Sequence, residues 1–361
     1  PVTALRSRDE LREEATLVFH RRSLQADASV QSVFDNEPER QDVRKFIDRL
    51  EVMTAAEDAR GLGRQMGVGR IVSRLEQTGV MNGWSRMERL ELKAELSNWT
   101  FSESHWLRIR LIDILKPKDE PDTRIVYAHG YDEVDDSAEL RLWIGRDGEL
   151  GWKLYDWERL DLGLSECRDW ELYLRHRGTN ADAQYRQWSE ASFAVDAAVD
   201  QGDWDEARRH MRTAEAALIP PDWADYCRVL NGYRWQSIGD DDKARASFNA
   251  VIGKDSYPGA YLGLMYSHQG HDNEAALAAA ENYQRLLGPS LSVSETKAQI
   301  LRSLDRRDDA AVEWLKVADF QPDNIDALTE VMTALAAEKK SEFRPRLQAV
   351  DNPTEVASEV A

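Results

Sequence analysis

One short pattern returns four times in the second half of the chain and limits what that half can fold into. A Gly or Asp turn is followed by polar residues and then by a small residue that opens an amphipathic helix. It reads GDWDEA from Gly202 to Ala207, GDDDKA from Gly239 to Ala244, GHDNEA from Gly270 to Ala275 and DRRDDA from Asp305 to Ala310. The small residues Ala207, Ala244, Ala275 and Ala310 stand 37, 31 and 35 positions apart, straddling the roughly 34 residues of one helical-hairpin repeat. A glycine ending the first helix can adopt the left-handed conformation without a Cβ clash, and the small residue five positions on lets the second helix approach closely. In this frame Gly232 and Gly263 take the small crossing position of the first helices, with Trp235 and Tyr266 one turn on. Met211, Phe248 and Trp314 take the large apolar slot of the second helices, and Pro322 closes the last unit.

Over residues 186 to 340 these positions resemble the tetratricopeptide family. The match departs from the pattern where Arg228 stands in place of an aromatic, where Ala279 replaces the large slot, and where Pro220, Pro258 and Pro289 drift from the closing place. The resemblance implies stacked hairpins whose first helices line a concave surface able to hold an extended peptide or a helix. The frame projects Asp196, Tyr226, Tyr233, Gln236, Leu264, His268, Gln299 and Arg302 onto that surface. This set lacks the Lys and Asn pattern by which some family members clamp a C-terminal carboxylate. Helices over Ala183 to Ala198 and Ile325 to Lys339 are expected to close the two ends, and the acidic stretch from Pro345 reads as a tail.

Ahead of the repeats the periodicity is mixed. Residues 6 to 28 form an amphipathic arm with Leu11, Ala15, Val18 and Phe19 at helical spacing, and Pro38 marks a break. A helix follows from about Arg40 to Glu57, with Val43, Phe46, Ile47, Leu50 and Met53 in one stripe. The glycines of GLGRQMGVG, Gly61 to Gly69, follow no strand and precede no Lys-Ser or Lys-Thr, so they break a helix rather than cradle phosphate. Ile71, Val72 and Leu75 then point inward, and Met87 to Leu96 continues helically. At Trp106 the period falls to two. Leu107, Ile109 and Leu111 alternate with arginines, Ile125, Tyr127, His129 and Tyr131 share a face, and Leu140, Leu142 and Ile144 alternate with Glu139, Arg141 and Trp143. A turn at Asp147-Gly148 returns the chain into WKLYDW. Three helices followed by four antiparallel strands make an α+β domain.

This order, with the ending RDGELGWKLYDWE, looks like the nuclear transport factor two-like cone over residues 40 to 165, shared with polyketide cyclase-like (SnoaL-like) and ketosteroid isomerase-like proteins. That ending before a repeat array also looks like a group of bacterial proteins carrying both modules. Enzymes of the cone family use a carboxylate base with a Tyr or acid that stabilises an enolate, which directs attention to His129, Tyr127, Asp156, Glu158 and Asp113. A pocket, if the cone has one, is expected to hold Tyr127, His129 and Asp156. A strand histidine is more simply a hydrogen-bonded core or rim residue, and Asp156 and Glu158 suit capping before Leu160. Trp143, Trp152, Tyr155 and Trp157 are expected to fill the cone.

Net charge now separates the function classes. At −19 the surface repels phosphate backbones and anionic lipid, so nucleic acid is not an expected partner. No apolar run is long enough to span a membrane. Cys167 and Cys227 have no metal-like spacing, and the seven histidines form no HExxH or Cys/His cluster. No metal and no cofactor is expected. A reducing, cytoplasmic compartment fits the thiols, although Pro1 is no initiator and an upstream signal or anchor is compatible with the sequence. The expected architecture is an arm (1–39), a cone-shaped domain of helices on a curved antiparallel sheet (40–165), a superhelical array of about four helical hairpins (166–340) and a tail (341–361). The expected function is a non-enzymatic interaction or scaffold protein holding a protein or peptide in the repeat groove. The alternative is small-molecule binding or catalysis in the cone. The open face of the sheet offers a route to homo-oligomers.

Overall fold

The computed structural model describes residues 30–32, 35–98, 107–131, 137–148, 151–253, 257–287, 290–320 and 324–334. The expected arm helix over residues 6 to 28 and the tail from Pro345 lie outside them. The chain divides into two compact units, and the division falls between Gly263 and Leu264.

The first unit opens with strand β1 (Val30–Ser32), within the segment expected as a helical arm, and helix α1 (Glu37–Ala55). Pro38 lies in the first turn of α1 instead of breaking the chain; its missing N–H costs nothing there. Three further helices follow, α2 (Ala59–Gln65), α3 (Val68–Gln77) and α4 (Arg86–Asn98), so four helices precede the meander where three were expected. Asp58 caps α2 by accepting from the Gly61 amide at 2.9 Å. Between α2 and α3, Gly67 donates to the Leu154 carbonyl at 2.6 Å. A Cβ on Gly67 would stand 3.2 Å from that of Tyr155, so this glycine permits a close backbone approach.

The sheet is antiparallel and six-stranded in the order β1-β2-β3-β4-β5-β6. Its remaining strands are β2 (Arg108–Pro117), β3 (Thr123–Tyr131), β4 (Ser137–Arg146), β5 (Trp152–Arg159) and β6 (Leu164–Ser165). The short β1 and β6 add to the expected four. Register shifts occur between Leu111 and Asp113 on β2 and opposite Trp143 and Ile144, where Tyr155 is the extra residue of β5. The first shift ends the simple alternation, and Ile112, Asp113, Ile114 and Leu115 are buried in succession.

One face of the sheet, carrying Val126, Ala128, Leu140, Leu142 and Ile144, packs against Val43, Phe46, Ile47 and Leu50 of α1 and Ile71, Val72 and Leu75 of α3. Each fully buried aliphatic side chain contributes about 1.5–3 kcal/mol. Trp152, Tyr155 and Trp157 join this core as expected; Trp143 only borders it.

Helix α5 (Glu166–His176) leaves β6, capped by the Ser165 hydroxyl, which accepts from the Arg168 amide. Then come paired helices. In the first unit these are α6 (Asn180–Asp200) with α7 (Trp204–Ala216), and α8 (Pro221–Ser237) with α9 (Asp241–Asn249). Helix α10 (Gly259–His268) contains the division between units, and the second unit continues with α11 (Asn273–Leu287), α12 (Leu291–Ser303), α13 (Arg307–Phe320) and α14 (Ile325–Ala334).

The turn logic holds at all four sites. Gly202, Gly239 and Gly270 have φ of 72°, 80° and 81°, and Asp305 takes the glycine role at 57°. Asp203 and Asp240 cap the helices that follow. The third site carries one extra residue. There Asp272 is the cap, accepting from the Ala275 amide, and the buried small residue is Ala276 instead of Ala275. With that correction the spacings become 37, 32 and 34, and Ala280, not Ala279, occupies the large slot. Phe248 fits its slot by entering between two glycines: a Cβ on Gly232 or Gly263 would stand 2.5 or 2.1 Å from its ring.

Candidate functional site

Alternation along β3 and β4 places a second set of side chains on the sheet face turned away from the helical core. Cross-strand register aligns Asp113, Tyr127, Arg141 and Glu158 in one row, and Arg110, His129 and Glu139 in the next. These rows are largely buried. Glu158 accepts from Arg141 Nε at 3.0 Å, and the Asp113 carboxylate accepts from the Ile114 amide at 2.8 Å. His129 and Glu139 are each 1% exposed, with Nδ1 and Oε1 3.7 Å apart. Burial, with Arg110 nearby, lowers the imidazole from 6.5 to about 3. His129 is therefore neutral near pH 7, and its side chain is buried as a core residue's would be.

Asp156 is a helix-capping residue, but for a later helix than the sequence suggested. Its carboxylate accepts from the Cys167 amide at 2.9 Å and the Ser165 hydroxyl at 3.0 Å, anchoring the start of α5. Arg74 approaches it at 3.3 Å. Burial pushes the Asp156 carboxyl up against these partners.

Of the three expected pocket residues, Tyr127 lines a cavity whose walls include neither His129 nor Asp156. That cavity, about 740 Å³, lies between this sheet face, the outer side of α3 and the turn from Pro117 to Thr123. Its walls include Arg70, Arg74, Arg141, Ile125, Trp143 and Tyr155. Trp143 has a guanidinium on either contact, Arg74 at 5.1 Å and Arg141 at 4.6 Å from its ring centre. Tyr155 meets Arg70 at 5.7 Å and Arg74 at 6.0 Å. Burial drives the Tyr155 phenol up to about 12, so it stays neutral. Sequence reading missed Arg70 and Arg74 because residues opposite the Ile71, Val72 and Leu75 stripe read as a solvated helix face.

Of the eight residues projected onto the repeat surface, five make side-chain links to a neighbouring repeat. Asp196 on α6 pairs with Arg234 on α8 at 2.9 Å. Tyr233 and Gln236 on α8 donate to the carbonyls of Gly259 and Gly263 on α10 at 2.8 and 3.0 Å. In the second unit Gln299 accepts from Gln269 at 3.4 Å and Arg302 pairs with Glu330 of α14. Leu264 is buried, while Tyr226 and His268 are half-buried. Tyr226 packs against a cluster containing Trp188, Trp223 and Cys227. A residue absent from the projection stands out by exposure: Phe193 on α6, 71% exposed, lies three positions before Asp196 and so shares its face.

Among the described residues no group of His, Cys, Asp and Glu is placed to hold a metal ion, and no helix is long and apolar enough to cross a membrane. Both cysteines are buried free thiols.

No protein-family model and no curated protein matches the chain. Among solved structures, one described as "Crystal structure of MamA protein" is 18% identical with a TM-score of 0.38, covering 48% of this chain and 93% of its own. A second, "Crystal structure of MamA", is 19% identical with a TM-score of 0.36, covering 46% and 95%. Superposition this loose carries no inference for the present chain.

Proposed function

We propose that the paired helices are a docking platform for a protein or peptide partner and that the chain acts as an interaction or scaffold protein, not as an enzyme. The observation that carries this reading is the repeated hairpin whose first helices are tied to one another by side chains. Asp196 to Arg234, and Tyr233 and Gln236 to the α10 carbonyls, hold three successive first helices in fixed relation. Such preorganisation lowers the entropic cost of holding an extended partner. The exposed Phe193 beside this line supplies the kind of aromatic anchor that dominates binding energy at interfaces. Two site properties favour this reading over the catalytic alternative: His129 is buried, which weakens its basicity, and Asp156 is engaged in capping α5.

The test is affinity capture from a native extract with the full chain and with Phe193→Asp, a variant that changes a position 71% exposed and whose fold is checked by circular dichroism. The platform reading expects a reproducible partner retained by the parent chain and lost, or reduced about tenfold or more, by the variant. Identical retention by both chains, or none by either, overturns it.

A further inference from the structure

The geometry points to a second binding site, independent of the platform: we propose that the cavity beside Trp143 takes small organic carboxylates with a flat, apolar body. Its lining carries three guanidiniums, Arg70, Arg74 and Arg141, against the carboxylates of Glu120 and Asp122. With the buried partners of Arg74 and Arg141 counted, the charges around the cavity nearly cancel, so the attraction for an anion rests on Arg70 and not on a broad positive field.

The guanidiniums differ in their partners. Arg74 and Arg141 are balanced by Asp156 and Glu158, neither of which lines the cavity. Arg70 instead donates to the Thr123 hydroxyl at 3.1 Å and the Arg146 carbonyl at 2.9 Å. Those partners are neutral, and the Glu120 carboxylate is reached only through the Thr123 hydroxyl, which donates to it at 2.8 Å, so among the described residues Arg70 is the guanidinium of the three without a direct ion pair. Cation–π contact of Arg70 with Tyr155, and of Arg74 and Arg141 with Trp143, holds the guanidiniums in place in advance, which lowers the ordering cost of binding.

The apolar requirement comes from the rest of the wall. Ile125, Trp143 and Pro117 present carbon surface to a space of about 740 Å³, well above what a bare inorganic ion needs and within the range of small-molecule sites. Glu120 and Asp122 at the same wall favour one negative charge over two. A flat monocarboxylate satisfies both constraints, with its charge toward Arg70 and its body along Trp143.

The experiment is a ligand-observed NMR titration of the full chain with benzoate, its neutral amide benzamide, and inorganic phosphate. Two variants, Ser73→Trp and Gln77→Trp, are run beside it. Both positions line the cavity and are exposed on α3, so a new indole obstructs the space while all three arginines are retained; circular dichroism checks that each variant is folded. The expected result is saturable benzoate binding, benzamide weaker by about tenfold from loss of the charge-assisted bonds, phosphate weaker than benzoate, and loss of benzoate binding in at least one folded variant. Equal binding of benzamide removes the electrostatic basis, and phosphate binding as tight as benzoate removes the apolar one. Failure of benzoate to bind, or binding unchanged in both variants, overturns the site.

Discussion

At position 129 strand alternation sets an imidazole on the same face as Tyr127 and Tyr131, and burial then removes its charge. With an ordinary value of 6.5 in the unfolded chain and about 3 in the folded one, His129 binds its proton first on unfolding. The stability it contributes is complete above pH 6.5 and is lost as pH falls from there toward 3. Between pH 7 and pH 5 this amounts to about 2 kcal/mol. His129→Gln is expected to flatten that part of the stability curve, measured by urea unfolding at the two pH values; parallel losses in parent and variant would show that the histidine is protonated in the fold. The residue type and its strand face were legible in the sequence. Its neutrality was not, because it depends on burial in the folded sheet and then on the charge of Arg110.

Among the elements, the hairpin at Phe248 shows why so degenerate a repeat pattern still specifies its packing. One aromatic ring occupies the space that two glycines vacate on neighbouring helices, and neither helix can approach without both vacancies. Because Phe248 is fully buried and hemmed in from both sides, it cannot swing away from an added methyl. Gly263→Ala is expected to cost about 1–3 kcal/mol by overpacking, even against the helix-propensity gain of alanine. Adding Phe248→Leu should return part of that loss, a coupling readable from a double-mutant cycle in chemical denaturation. Strictly additive losses would mean that the glycine and the ring do not share the space. The third turn explains the error of one residue at Ala275. Its extra residue changes where the helix is capped, and the small-residue pattern tolerates Ala275 or Ala276 equally on sequence alone.

For the molecule as a whole, the point of interest is how the sheet and the first hairpins of the same unit are joined. Helix α5 begins at the Asp156 cap on β5 and ends among the repeat aromatics, where Tyr185 stacks on Trp223 at 4.0 Å and Trp223 donates to Asp169 at 3.1 Å. Trp223 is fully buried, so Trp223→Ala should cost about 3–5 kcal/mol. If α5 couples the two parts, native-state hydrogen exchange will show protection falling together in β5 and α8; a fall confined to α8 would mean that the junction does not transmit stability. The sequence by itself determined the hairpin turns, the helix starts and the strand meander. Each is decided by a few neighbouring residues: a left-handed Gly or Asp, an Asp cap, a change of period from 3.6 to 2. Tertiary structure alone decided that Arg70, Arg74 and Arg141 would meet around Trp143 and Tyr155, and that five of the eight projected groove residues would serve as ties between repeats. Those outcomes rest on a register shift at Tyr155 and on contacts between residues far apart in the chain, and no local pattern encodes the sum of such contacts.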